Sequence, residues 1–145
     1  MKTIHNSLFI IIFAVLTVFC NKEAATNSTA LNEMVDTSAK LVVNTVPGIF
    51  ISYGENVSGV AKLFVKDAKY TLALENFTTN NGPDLHVYLS KEILPINFLD
   101  LGKLKSTSGN QVYEIAGAPD FKQYKYALIH CQQFNHLFGS AELVK

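Results

Sequence analysis

Val57-Ser58-Gly59-Val60-Ala61-Lys62-Leu63-Phe64-Val65-Lys66, then Asp67-Ala68, then Lys69-Tyr70-Thr71-Leu72-Ala73-Leu74-Glu75, is the stretch from which the fold is read. Its period is two. Val57, Gly59, Ala61, Leu63 and Val65 fall on one side of an extended chain, and Lys62 and Lys66 on the other. After the break at Lys66-Asp67-Ala68, Tyr70, Leu72 and Leu74 alternate with Thr71, Ala73 and Glu75. A helix would repeat every 3.6 residues, so both runs read as strands with one face turned to a core.

The same pattern extends in both directions from Pro47 onward. Leu85, Val87 and Leu89 alternate with Asp84, His86 and Tyr88. Further strands are expected at Ile49 to Tyr53, Phe98 to Lys103, Gln111 to Ile115, Tyr124 to Cys131 and Phe138 to Val144. Turn chemistry separates them: Gly54-Glu55-Asn56, Asn80-Asn81-Gly82-Pro83, Ser108-Gly109-Asn110 and Gly117-Ala118-Pro119-Asp120. Asp120 to Tyr124 has room for one helical turn. The expected fold is all-β, a two-layer antiparallel β-sandwich of about eight short strands over residues 46–145.

The N-terminal third is different. Lys2 is followed by an almost wholly apolar run from Leu8 to Phe19, the layout of a secretory signal and too short for a settled membrane span. The signal is expected to cover residues 1–20. Leu16-Thr17-Val18-Phe19-Cys20 resembles a bacterial lipoprotein box, with Phe19 where a small residue is usual. That resemblance implies lipidation at Cys20 and an exported, membrane-anchored product in the cell envelope; ordinary signal cleavage nearby and an uncleaved anchor are the alternatives, and each places the domain outside the cytoplasm. Residues 21–45 are small and polar and read as a tether without a core, with a root-mean-square reach of roughly 25 Å.

Composition excludes some partners. All twelve basic residues are lysines, and they balance twelve acids. A neutral, scattered surface argues against nucleic acid, which needs a basic stripe, and the absence of arginine argues against bidentate phosphate recognition.

The domain resembles the DM-thirteen, or electron-transfer DM-thirteen, family from Val46 to Leu143. The resemblance rests on Val57-Ser58-Gly59, Leu74-Glu75-Asn76-Phe77, Asn81-Gly82-Pro83-Asp84-Leu85-His86-Val87-Tyr88-Leu89-Ser90, Leu101-Gly102-Lys103-Leu104-Lys105, Gly109-Asn110-Gln111-Val112-Tyr113, and Cys131 with Phe134, Phe138-Gly139 and Ala141. It implies a surface or secreted β-sandwich whose signature cysteine, here Cys131, serves electron transfer as a bare thiol or through a bound group such as haem. Two positions depart from the family pattern. His130 stands where tryptophan is usual before the cysteine, and His86 where an aromatic ring is usual.

Cys131 is the one cysteine of the expected domain. It is either a redox site or a packed core residue, since free cysteine often serves as a small hydrophobe. Adjacent strand residues point to opposite faces, so His130 is poorly placed as its base. His136 lies across a four-residue turn, Gln132 to Asn135, where a hairpin makes it a same-face neighbour able to activate the thiol. Cys131 and His130 are candidate cofactor ligands, for haem or, less favoured, copper. Blue copper wants two histidines, one cysteine and commonly an axial methionine, and Met34 is the only methionine past the signal. No metal site of recognisable spacing is present. Asp84 reads as a turn cap. Asp100 and Glu114 lack a paired carboxylate at a readable spacing, and Tyr88, Tyr113, Tyr124 and Tyr126 read as core or rim.

The expected function is a membrane-tethered redox domain acting on an unidentified surface or periplasmic redox protein, and not a stand-alone enzyme. The rival is a surface interaction or ligand-binding module with a structural cysteine.

Overall fold

The computed structural model describes residues 25–144. The signal and Cys20 lie outside the described residues. The described chain is all-β, with strands β1 (Leu31–Asn32), β2 (Lys40–Leu41), β3 (Gly48–Ser52), β4 (Val57–Lys66), β5 (Lys69–Thr79), β6 (Leu85–Ser90), β7 (Phe98–Lys103), β8 (Ser108–Ile115), β9 (Tyr126–Cys131) and β10 (His136–Glu142). They form one sheet in the order β1-β8-β5-β4-β3-β10-β9-β6-β7, with β2 added beside β4. The sheet curls into an open half-barrel.

The expected two-layer sandwich is corrected to this single curled sheet. The corner is β3. Its first residues, Gly48 and Ile49, pair with Ala61 and Val60 of β4, and Phe50 to Ser52 pair with β10. One strand therefore serves both halves, and hydrogen bonding passes around the bend without a break. Gly48 permits the bend: a Cβ there would sit 2.4 Å from the carbonyl oxygen of Glu142. Alternation along each strand is the same whether two sheets face each other or one sheet folds over itself, which is why the two designs look alike in sequence.

Each hairpin has a local cause. Asp67 and Ala68, at φ of 48° and 61°, make the two-residue turn between β4 and β5. Two left-handed residues give that turn the twist of its strands. At 121–123 the chain makes a turn, with the amides of Gln123 and Tyr124 donating to Asp120 O.

The curl gathers Leu63, Leu72, Leu74, Leu85, Val87, Leu89, Ala127, Ile129 and Cys131 into one core, none of them more than 1 % exposed. Fully burying a Leu or Val side chain contributes about 1.5–3 kcal/mol relative to exposure, so this inner face dominates stability.

The strand count is also corrected. The eight expected strands correspond to β3 through β10; β1 and β2 are additional and lie in the segment read as a tether. From Thr26 onward that segment is strapped to the sheet. Thr26 donates to Gly82 O, Thr107 N donates to Asn27 O, and Ser106 Oγ donates to Thr29 O at 2.6 Å. β1 then runs parallel to β8. At Gly109 (φ 97°) a Cβ would fall 2.0 Å from Leu31 O, so the strap lies directly on glycine backbone. Glu33 takes an ion pair from Lys105 and a bond from Val112 N, and Asp36 pairs with Lys66. The strap is ordered by polar bonds to backbone, which its polar composition does not reveal.

Candidate functional site

Strand alternation sorts β9. Ala127, Ile129 and Cys131 enter the core, while Leu128 and His130 face outward. Cys131 is a free thiol with 0 % exposure. The hairpin register pairs His136 with Cys131, as the spacing predicts. The His136 ring meets Phe138, a core residue two positions on, at 5.4 Å. His136 itself is exposed, across the hairpin from the buried Cys131.

The outer side of the same strands carries a second cluster. β6 is buried along its whole length, on both faces. Its outward residues, His86 and Tyr88, are covered by β7 and β9. Tyr88 is stacked between Phe98, at 4.2 Å and 22°, and His130, at 5.4 Å and 29°. Gln132 Nε2 donates to the Tyr88 hydroxyl at 2.7 Å and to Asp100 Oδ2 at 3.0 Å. His86 lies between two carboxylates, with Asp100 at 2.9 Å from Nδ1 and Asp84 at 3.4 Å from Nε2. Lys103 Nζ sits 2.8 Å from Asp84.

These neighbours perturb one another. Burial pushes the Tyr88 phenol up, with the charges of Asp100 and Asp84 adding, against the Gln132 bond. The Lys103 ammonium holds the Asp84 carboxyl below its ordinary range. Burial pushes the His130 imidazole down, and His136 and His86 push it further, against a bond that the ring donates to the Asn135 side chain. Among the described residues, the buried His130 Nδ1 has no hydrogen-bond partner. An orphaned, buried, titratable nitrogen is a rare feature that calls for a reason.

Of the sequence-predicted residues, Cys131 and His136 are brought together, and Cys131 and His130 are held apart on opposite faces. The sulfur and the imidazole do not converge on one ion. Among the described residues no three His, Cys, Asp or Glu side chains gather as a metal-binding set. This donor arrangement does not fit an iron ligated by both residues or a three-ligand copper site. A cleft of about 850 Å³ is lined by Met34, Phe64, Lys66, Tyr70, Val112 and Ile115, under the strap and remote from Cys131.

Sequence reasoning missed Tyr88, Asp100 and Gln132 as partners. Asp84, read only as a turn cap, also faces His86. The signal in the sequence was the polar alternation of His86 and Tyr88 against Leu85, Val87 and Leu89. Which residues meet them depends on the β6–β7 register, which shifts between His86 and Tyr88.

A family model described as Electron transfer DM13 matches residues 49–143. No curated protein and no solved structure matches the chain.

Proposed function

Because the chain belongs to the electron-transfer DM13 family, we propose that it is an exported, lipid-anchored electron-transfer module whose redox group is Cys131. The observation that carries this reading is the setting of that one thiol. It is sealed in the core, faced by His136 across the hairpin, and separated by the thickness of the sheet from the Tyr88–His130 stack. Thiol–disulfide exchange needs one sulfur to reach another, and a fully buried thiol is closed to that. An electron needs no such contact and can leave through packed side chains. In the oxidising half-step the thiol loses one electron to an oxidised partner protein and its proton to a base, for which His136 is the candidate. A reduced partner and the same base reverse the step. Lipidation at Cys20 would hold the domain in the envelope beside membrane-bound partners at high effective concentration.

The burial of Cys131 also favours a second reading, an interaction module in which the sulfur packs as a small hydrophobe among the surrounding core side chains. An absorption spectrum and protein-film voltammetry on the exported chain, beside Cys131→Ser, separate the two. The redox reading expects a wave in the wild type that the folded serine variant lacks, with a visible band as well if a coloured group is bound at the sulfur. Identical voltammograms, with the serine variant merely less stable, leave the cysteine structural.

A further inference from the structure

The redox end of the domain is also the end at which the described chain begins. Thr26 is bonded to Gly82 through its amide and its hydroxyl, and Asn81 Nδ2 donates to Thr26 O at 3.0 Å. Gly82 leads into β6, whose first residue, Leu85, pairs with Cys131. Gln132 N donates to Asp84 O at 2.9 Å, so the turn between β9 and β10 stands beside the Gly82 loop. Phe134, at the tip of this turn, is 69 % exposed. The opposite end, past Ser90, carries another exposed apolar loop, with Leu94 at 62 % and Ile96 at 71 %.

Because the strap pins the chain from Thr26 on, Cys20 is not joined to the domain by a long tether. Six Cα steps separate Cys20 from Thr26, and they span at most about 20 Å even when fully extended. β6 alone is roughly as long, at about 3.3 Å per residue. A lipid at Cys20 therefore cannot reach past the length of β6 to leave the Gly82 end far from the bilayer.

We propose that the anchored domain stands with its Cys131 end on the membrane, with Phe134 seated in the lipid interface and the loop at Leu94 and Ile96 directed away. This rests on the lipid-anchor part of the function proposed above. An apolar aromatic side chain such as phenylalanine is suited to burial at the boundary of headgroups and acyl chains. One ring binds a bilayer weakly by itself, but the short leash holds it there, so the anchor supplies affinity and Phe134 sets orientation. Polar groups at this end bond to each other, Lys103 with Asp84 and the His86 ring nitrogens with Asp84 and Asp100, and among the described residues no basic stripe faces outward from them. The contact accordingly does not call for anionic lipid. The partner that meets Cys131 from this side is membrane-bound.

The chain has no tryptophan, so a single introduced one reports alone. The lipidated full chain carrying Phe134→Trp, and separately Leu94→Trp, is reconstituted in phosphatidylcholine vesicles with brominated acyl chains. The expected result is a blue-shifted reporter at position 134 that loses most of its emission, while the reporter at position 94 keeps its own. Quenching at 94 alone, at both positions or at neither in a chain shown by mass spectrometry to carry lipid on Cys20 overturns the orientation and leaves the anchor standing. A Cys20 without lipid in the mature native protein overturns both.

Discussion

Two buried polar clusters sit in this sheet, and they are built differently. In the first, Gln111 Oε1 accepts from Ser106 N at 3.0 Å and from the Tyr113 hydroxyl at 2.8 Å, and Gln111 Nε2 donates to Ser106 O at 2.8 Å. The Tyr113 hydroxyl also accepts from Lys105 N. Its polar groups have partners, several of them backbone, and it ties the 104–107 loop to β8. Burial pushes the Tyr113 phenol far up, which keeps it a neutral donor. The second cluster, around Tyr88 and His130, is made mainly of side chains facing side chains. It holds two histidines, two carboxylates and an orphaned nitrogen. A fully paired network specifies a fold; a titratable one left incomplete behind a lone cysteine is where chemistry is sought.

The largest effect that would sharpen this contrast is at Gln111. Gln111→Ala strands Ser106 N and O and the Tyr113 hydroxyl, so we expect a loss of about 3–5 kcal/mol in urea denaturation with no change in any Cys131 redox signal. A redox change in a folded Gln111→Ala protein would break the division between the clusters. Tyr88→Phe keeps the stacked ring and removes only the acceptor for Gln132, an expected loss of about 1 kcal/mol. If the stack carries electrons, this variant also slows or shifts the voltammetric wave; an unchanged wave reduces Tyr88 to packing.

His130 supplies a smaller, pH-dependent test. Its folded pKa lies below its ordinary value, so the unfolded chain binds the proton more tightly. The stability this group contributes is therefore intact above its ordinary value of about 6.5 and is lost as pH falls from there toward the folded value. His130→Gln should flatten the stability profile in that window. A profile unchanged by the substitution would mean that His130 is solvated. The smallest effect is expected on the outer face of β4 and β5 beside the strap, where Lys62 pairs with Glu75 and both side chains stay partly exposed. Lys62→Ala should cost less than about 1 kcal/mol and less still in high salt. A larger loss would show that the strap shields this pair from solvent.

Much of this architecture is legible in the sequence. Leu63 against Lys62, and Leu72 against Thr71, mark strands because side chains alternate across a pleat. The four residues between Cys131 and His136 announced a hairpin pair. The strap was not legible, because Asn27, Thr29 and Glu33 are held by distant backbone groups that a polar segment gives no reason to expect. Nor was the pairing of His86 with Asp100, fourteen residues away. A register shift between two strands decides it, and a single-residue slip would have turned the carboxylate to the other face.

By itself, the sequence determined what depends on neighbours along the chain: strand periodicity, turn positions, the all-β class, and the cysteine at the end of β9. Tertiary structure alone decided what depends on which strands meet. β3 turned an expected sandwich into one curled sheet, the strap shortened the link to Cys20, and the curl sealed the Cys131 sulfur in the core. The physical reason is range. Backbone geometry imposes its period locally, whereas register, closure and burial are set by pairings between residues far apart in the chain.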